Sequence, residues 1–388
     1  MIYRFSDCRL DTDKRALFRN DTPVPVEPQV FDLLHLLAEN ADRVVTRDEI
    51  IDAVWGGRIV SESAISARIA AMRKAVGDDG KLQSIIRTVQ RRGLQFVAEI
   101  KNTIELTPEA APTPQVRYAS SDGGKSLAYT ITGNGPRLLR VPATPADIGM
   151  EWELPGLRGI IETNSAEFEL LRYDGFGFGM SDRDIDNVDC ERDADDCRAV
   201  ADAAGWDRFA IYSESGACFE AIQFAAKYPE RVSKMVLLGG YAEGRTRRSQ
   251  SEEPDILRAM IRESWESEED YFARAFMLAY TPEGPFPVVG EMAKMMRASG
   301  TTEAMTMLRD AVNNYSILPV LSKVQCPTLV VHGRKDAVHP LSEAKKLAAG
   351  IPNAELLVLE TANHLPLLGH PTWDVYFEAF CRFLKTDS

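Results

Sequence analysis

The sequence predicts an α/β protein in which a mostly parallel, doubly wound sheet is preceded by a smaller helical unit that ends in a β-hairpin. Three observations carry this. From residue 116 onward, short apolar strand-like runs alternate with helical segments. Residues 101–115, KNTIELTPEAAPTPQ, place Pro108, Pro112 and Pro114 among small and polar neighbours, a semi-stiff linker between two units. The net charge of −13 is unevenly spread: residues 1–100 hold 15 Lys+Arg and 15 Asp+Glu, so the whole acid excess falls after the linker.

The first unit is expected over residues 1–100. It opens with strand-like runs at 3–5, 16–19 and 24–26. A helix follows from Pro28, with Val30, Leu33, Leu34 and Leu37 at helical spacing. A second helix starts at Thr46, whose partner three residues on is Glu49, a capping box. A third starts at Ser61 or Ser63, carries Ile65, Ile69, Met72 and Val76 on one face, and is stopped by Gly77. Residues 84–88 and 94–100, around a turn at 90–93, read as a hairpin. Three helices and a hairpin make a winged helix-turn-helix.

With 388 residues, 45% hydrophobic and 27% charged, the chain is an ordinary globular one, and disorder and low complexity are excluded. No apolar run approaches the roughly 20 residues of a transmembrane helix, and the first residues lack a secretory h-region. Cys8, Cys190, Cys197, Cys218, Cys326 and Cys381 are scattered and form no CxxC pair. They read as reduced thiols of a cytoplasmic protein, with no metal site and no cofactor expected.

The second unit is expected over residues 116–388. Strands are predicted at 116–120, 125–132, 137–141, 168–173, 208–212, 232–238, 327–332 and 354–359, with helices between most of them. Strands apolar on both faces indicate a sheet covered on both sides. Residues 242–318 interrupt the alternation with a wholly helical insert.

The basic residues of the first unit cluster in the third helix and the hairpin: Arg68, Arg73, Lys74, Lys81, Arg87, Arg91 and Arg92. A locally positive helix and wing suit phosphate contact. With the apolar face turned inward, Ser63, Ser66, Ala67, Ala70 and Lys74 point outward, and small side chains let a helix lie deep in a major groove. The alternative is a solvated basic helix in a protein–protein module. The stretches at 44–80, VVTRDEIIDAVWGGRIVSESAISARIAAMRKAVGDDG, and at 85–100, IIRTVQRRGLQFVAEI, resemble the OmpR-type winged-helix domain. The resemblance implies that the third helix enters the major groove of double-stranded DNA and that residues 87–94 form the wing. Ser63, Ser66, Ala67, Arg68, Arg73, Lys74, Arg87, Arg91 and Arg92 are the contacting candidates. The sequence departs from the family in the wing, where Gln90-Arg91-Arg92 and Leu94 replace a small or His-Gly turn followed by an aromatic.

In the second unit, Ser213-Glu214-Ser215-Gly216-Ala217-Cys218 follows the strand at 208–212 and opens a helix, the context of a nucleophile elbow; Ser213 and Ala217 stand where glycines are usual. Asp336 follows the strand at 327–332 and His364 the strand at 354–359, giving the chain order Ser, Asp, His. His370 is the rival base, with an alternative role at a helix N-terminus. His332 and His339 read as strand-end and loop residues. Asp174 reads as structural, in the glycine turn through Gly175, Gly177 and Gly179.

Residues 116–136, 170–183, 209–244 and 327–365 resemble the α/β-hydrolase superfamily. The resemblance implies acyl transfer by Ser215, His364 and Asp336, with oxyanion donors at Gly216 and, from the loop after strand 137–141, Thr144. The insert 242–318 would then be a cap. It holds Met260, Met277, Met292, Met295, Met296, Met305 and Met307, which serve either as helix core or as the adaptable wall of a ligand pocket. The expected protein is a one-component transcriptional regulator. It would be a homodimer on paired half-sites and make no membrane contact, and its hydrolase-like domain would sense, with or without cleavage, a small, largely apolar ester- or lactone-like ligand. The alternative is a working serine hydrolase whose DNA-binding domain serves autoregulation; a third reading is an inert receptor.

Overall fold

The computed structural model describes residues 2–386 apart from 13–14, 21, 42, 57–59, 91, 99, 103–112, 143–144, 186, 249–255 and 267–269. The chain divides into two compact units, Met1–Ala110 and Ala111–Ser388.

The first unit begins with an antiparallel meander, β1 (Ile2–Phe5), β2 (Cys8–Asp11), β3 (Ala16–Arg19) and β4 (Thr22–Val24). Then come α1 (Pro28–Glu39), β5 (Val44–Thr46), α2 (Arg47–Trp55), α3 (Glu62–Val76), β6 (Ile86–Val89), β7 (Gly93–Phe96) and β8 (Lys101–Asn102). Strand β8 returns to pair with β1, and β5 adds to the β6–β7 hairpin. The local signals act as expected for the helices. Thr46 and Glu49 exchange both capping-box hydrogen bonds, and Ser61 caps α3 by accepting from Ala64 N–H. Gly77 ends α3 with φ 73°. The apolar faces of α1 and α3 meet the first sheet in one core around Leu10, Leu33, Leu37 and Met72. Three short strands were not expected: β2, β5 and β8. The ladder also extends two residues past the boundary expected at residue 100, because β8 covers the edge of β1.

The second unit contains β9 (Arg117–Ser120), β10 (Ser126–Thr132), β11 (Arg137–Val141), α4 (Ile148–Glu153), α5 (Pro155–Ser165), β12 (Glu169–Tyr173), α6 (Cys190–Ala203), β13 (Phe209–Glu214), α7 (Cys218–Lys227) and β14 (Val232–Leu238). It continues with α8 (Arg245–Arg248), α9 (Ile256–Ser264), α10 (Tyr271–Tyr280), α11 (Phe286–Ser299), α12 (Thr302–Asn314), β15 (Thr328–Gly333), α13 (Leu341–Gly350), β16 (Ala354–Leu359) and α14 (Trp373–Lys385). The eight strands form one sheet in the order β16-β15-β14-β13-β11-β12-β10-β9. Only β10 runs opposite to the other seven strands. Both faces are covered. Helices α6, α7 and α13 pack one core, and α5 and α14 another, which is why β13, β14 and β15 read as nearly unbroken apolar runs.

Strand order fixes where a site can form. From β11 the chain passes to β12 on one side and then to β13 on the other. The carboxyl ends flanking such a reversal leave a crevice. Helices α8 to α12 leave the sheet between β14 and β15, and a single antiparallel bridge, Glu243 to Ser316, ties the two ends of this excursion together. Phe272, Phe276, Met295, Met305 and Leu308 give it a core of its own. Among the described residues, no helix is long and apolar enough to cross a membrane.

Candidate active site and nucleic-acid interface

Strand β13 delivers Ser215 through a turn that holds its backbone at φ 53°, a left-handed conformation costly for a residue with a Cβ. Small neighbours permit the sharp turn. Ser213 is fully buried, with its Oγ 3.3 Å from Cys218 Sγ, and Ala217 is buried as well. The turn sends the Ser215 side chain to His364, whose Nε2 lies 2.8 Å from Ser215 Oγ. His364 Nδ1 lies 2.7 Å from Asp336 Oδ2. The three residues come from the ends of β13, β15 and β16, so the sheet register sets their spacing.

Asp336 is held from several sides. Its Oδ1 accepts from Val338 N–H at 2.7 Å and His339 N–H at 3.0 Å. Burial pushes its carboxyl up, but the hydrogen bond from His364 and the backbone donors overcome this and hold it below the ordinary range. A histidine whose role sequence reasoning missed also touches it: His332 Nε2 lies 3.2 Å from Asp336 Oδ2 and 3.0 Å from His339 O. Burial lowers the pKa of His332, and burial lowers that of His339 further, so both are neutral at pH 7. His332 therefore carries its proton on Nε2. The only signal for this was its position, one residue before the end of β15.

The loop bearing His364 is tied to the helical excursion. His364 N–H donates to Tyr280 O at 2.7 Å, and Glu283 N–H donates to Asn363 Oδ1 at 2.9 Å. Asn363 Nδ2 donates to Gly284 O at 2.7 Å, and Ala362 N–H and Thr361 Oγ1 donate to the Glu283 carboxylate. On the sheet side, Gly239 has φ 59°, and a Cβ there would stand 2.7 Å from His364 O and 2.9 Å from its Cε1. The imidazole is thus clamped between sheet and cap.

Ser215 and Gly216 open onto a cavity of about 160 Å³. Met277, Met292, Met295, Met296 and Met305 line it, and the same side chains pack in or against the excursion's own core, so both of the roles expected for them are present. Met307 is not among the lining residues, and the side chain of Met260 is outside those described. Thr144, the expected second oxyanion donor, lies outside the described residues. His370 faces Thr372 and not Ser215. Asp174 is fully buried and accepts from Ile148 N–H and Met180 N–H, a structural brace. Among the described residues, no group of three His, Cys, Asp or Glu is placed to hold a metal ion.

In the first unit, Ile65, Met72 and Val76 of α3 face the core, while Ser63, Ser66, Ala67, Ala70 and Lys74 are exposed. Arg87 and Arg92 are exposed on the wing, and Arg91 is outside the described residues. Two of the expected cations are engaged within the domain. Arg68 pairs with Glu27 at 2.9 Å and with Gln29 at 3.0 Å. Arg73 donates to Ile86 O at 2.9 Å and to Thr88 Oγ1 at 2.9 Å, fastening α3 to the wing. Asp78, unmarked in the sequence, completes that joint by accepting from Asp79, Ser84, Ile85 and Ile86 N–H.

Two family models match this chain. Residues 21–96 match "transcriptional regulatory protein, C terminal" and residues 136–371 match the alpha/beta hydrolase fold. The chain is 24% identical over 298 residues to a 2-hydroxy-6-oxononadienedioate/2-hydroxy-6-oxononatrienedioate hydrolase of Paraburkholderia xenovorans, covering 68% of this chain and 92% of that enzyme. It is 32% identical over 142 residues to the transcriptional activator CadC of Escherichia coli, covering 35% of this chain and 28% of CadC. A thermophilic esterase from Thermogutta terrifontis shares the fold, with a TM-score of 0.58 and 23% identity over 70% of this chain and all of the esterase. The chain belongs to the alpha/beta hydrolase fold family, and ahead of that domain it carries a DNA-binding regulatory domain of the OmpR-type winged-helix kind.

Proposed function

We propose that this protein is a one-component transcriptional regulator, acting in the cytoplasm, whose hydrolase-fold domain takes a small ester or lactone and cleaves it at Ser215. The observation that carries the reading is the unbroken Ser215–His364–Asp336 relay at the floor of a capped cavity, in a chain that also holds a winged helix. In this mechanism His364 takes the Ser215 proton as Oγ attacks the acyl carbon, and returns it to the leaving oxygen. Asp336 fixes the imidazole tautomer and stabilises the imidazolium. Gly216 N–H, next to the nucleophile, meets the oxyanion, and Thr144 N–H is assigned as the second donor. Water then releases the acyl group by the same route in reverse.

Regulation requires that the ligand bind two states of the protein unequally. The DNA face is assigned to Ser63, Ser66, Ala67 and Lys74 of α3 and to Arg87, Arg91 and Arg92 of the wing. Arg68 and Arg73 position that face by their protein contacts. One winged helix contacts few base pairs, so a homodimer on paired half-sites is assigned. The test compares wild type with Ser215→Ala on short-chain aryl esters, alongside binding to the duplex upstream of its own gene. Turnover lost in the variant, with DNA binding retained, supports the reading. No turnover by wild type, with DNA binding intact, would replace the enzyme by a receptor.

A further inference from the structure

One wall of the cavity beside Ser215 is charged. Arg140 on β11, Glu151 on α4 and Glu214 at the end of β13 all line it. Arg172 stands behind them on β12, directly opposite Arg140 in the ladder. Arg140 donates to Glu151 Oε1 at 2.6 Å and to Glu214 Oε2 at 3.2 Å; Arg172 donates to Glu151 Oε2 at 2.5 Å. Around them pack Leu138, Trp152, Ile161 and Leu170. Taking such charges out of water is costly, and apolar residues of the same volume commonly serve stability as well or better. The network is not fully satisfied either: among the described residues, Nε of Arg140 and both Nε and Nη2 of Arg172 have no hydrogen-bond partner. Stability does not account for this wall, whereas its place in the cavity does.

The pattern defines what it can take. Two arginines and two glutamates carry no net charge together, so an entering carboxylate would meet Glu214 and an entering ammonium would meet Arg140. The side chains of Arg140 and Glu214 are 15% and 16% exposed, against 1% for Arg172 and 4% for Glu151. The first two are therefore the pair presented, a donor beside an acceptor, and the other two back them. Asn164 of α5 lines the same cavity, is 3% exposed, and among the described residues its Oδ1 has no partner. An uncharged group that both donates and accepts, a hydroxyl, matches this set.

We propose, resting on the reading that this cavity takes an ester or lactone, that Arg140, Glu214 and Asn164 form a polar subsite for a hydroxyl group of the ligand. The substrate class then becomes hydroxylated esters and lactones, not plain alkyl ones. A site built to hydrogen-bond a hydroxyl rejects the analogue lacking it, because its own polar groups are left unpaired.

The test uses the full chain with 4-nitrophenyl butyrate and 4-nitrophenyl 3-hydroxybutyrate, and in parallel measures calorimetric binding of γ-butyrolactone and α-hydroxy-γ-butyrolactone to Ser215→Ala. The expected result is a preference for the hydroxylated member of each pair of about tenfold or more. That preference should fall toward unity in Glu214→Leu and in Asn164→Ala; the second variant removes no charge and guards against a folding defect in the first. Equal or poorer handling of the hydroxylated compounds by wild type overturns the subsite, as does a ratio unchanged in both variants. If neither ester is turned over, the cleavage reading fails by itself and the lactone pair decides: tighter binding of the hydroxylactone upholds the subsite, and equal or absent binding overturns it.

Discussion

At the scale of single residues, the relay stands on a backbone conformation that serine adopts only under constraint. Ser215 at φ 53° is held there by β13 on one side and α7 on the other. Ser215→Ala is expected to lower ester turnover by roughly 10⁴-fold or more while leaving the melting temperature within a few degrees. Asp336→Asn should cost about 10⁴-fold, because the amide would favour the wrong imidazole tautomer; steady-state kinetics on an aryl ester checks both. The relay residues were legible in the sequence because each directly follows a recognisable strand. The charged wall was not. Arg140, Arg172, Glu151 and Glu214 lie on three strands and a helix, and only the parallel register brings them together. His332 was missed for the same reason, since its contact with Asp336 depends on how the loop after β15 folds back.

At the scale of elements, the helices announced themselves through their ends. Thr46, Glu49, Ser61 and Gly77 each satisfy backbone groups that a helix terminus leaves open, a local requirement that sequence can display. Strands β5 and β8 have three and two residues and pair with partners far along the chain, so they left no local mark, whereas β2 is a four-residue strand of the local meander between β1 and β3. The joint between α3 and the wing is likewise non-local. Burial pushes the Asp78 carboxyl up, but backbone N–H donors from Ile86, Ile85, Ser84 and Asp79 hold it below the ordinary range. A lowered carboxylate stabilises the fold above its unfolded pKa, and the contribution fades as pH falls through the folded value. Asp78→Asn should therefore destabilise the N-terminal unit by about 1–3 kcal/mol at neutral pH, a gap that closes on acidification. Urea titrations at several pH values would show it; a gap of constant size would not fit. On the sheet side of the relay, Gly239→Ala would force a Cβ against His364. It is expected to lower kcat at least tenfold with a smaller change in KM.

At the scale of the whole molecule, the uneven charge decides which part meets a polyanion. The acid excess after residue 100 would repel DNA, so under the proposed function the attraction comes from Lys74, Arg87 and Arg92 of the winged helix. Affinity for duplex should fall steeply with salt. Lys74→Ala and Arg92→Ala should each reduce the slope of log K against log salt by about one, with little change in sequence preference. Fluorescence anisotropy over a salt series measures this, and an unaltered slope in both variants would remove these side chains from the interface.

The clamp on His364 ties the position of the base to that of the helical excursion. Because Tyr280, Glu283 and Gly284 of the cap hold the very loop that bears the imidazole, a guest bulky enough to prise the cap away also takes the base out of line. Under the proposed function, a snug guest would be cut and its message brief, whereas an oversized one would go uncut and linger, so the fit of the molecule would set how long the gene hears it.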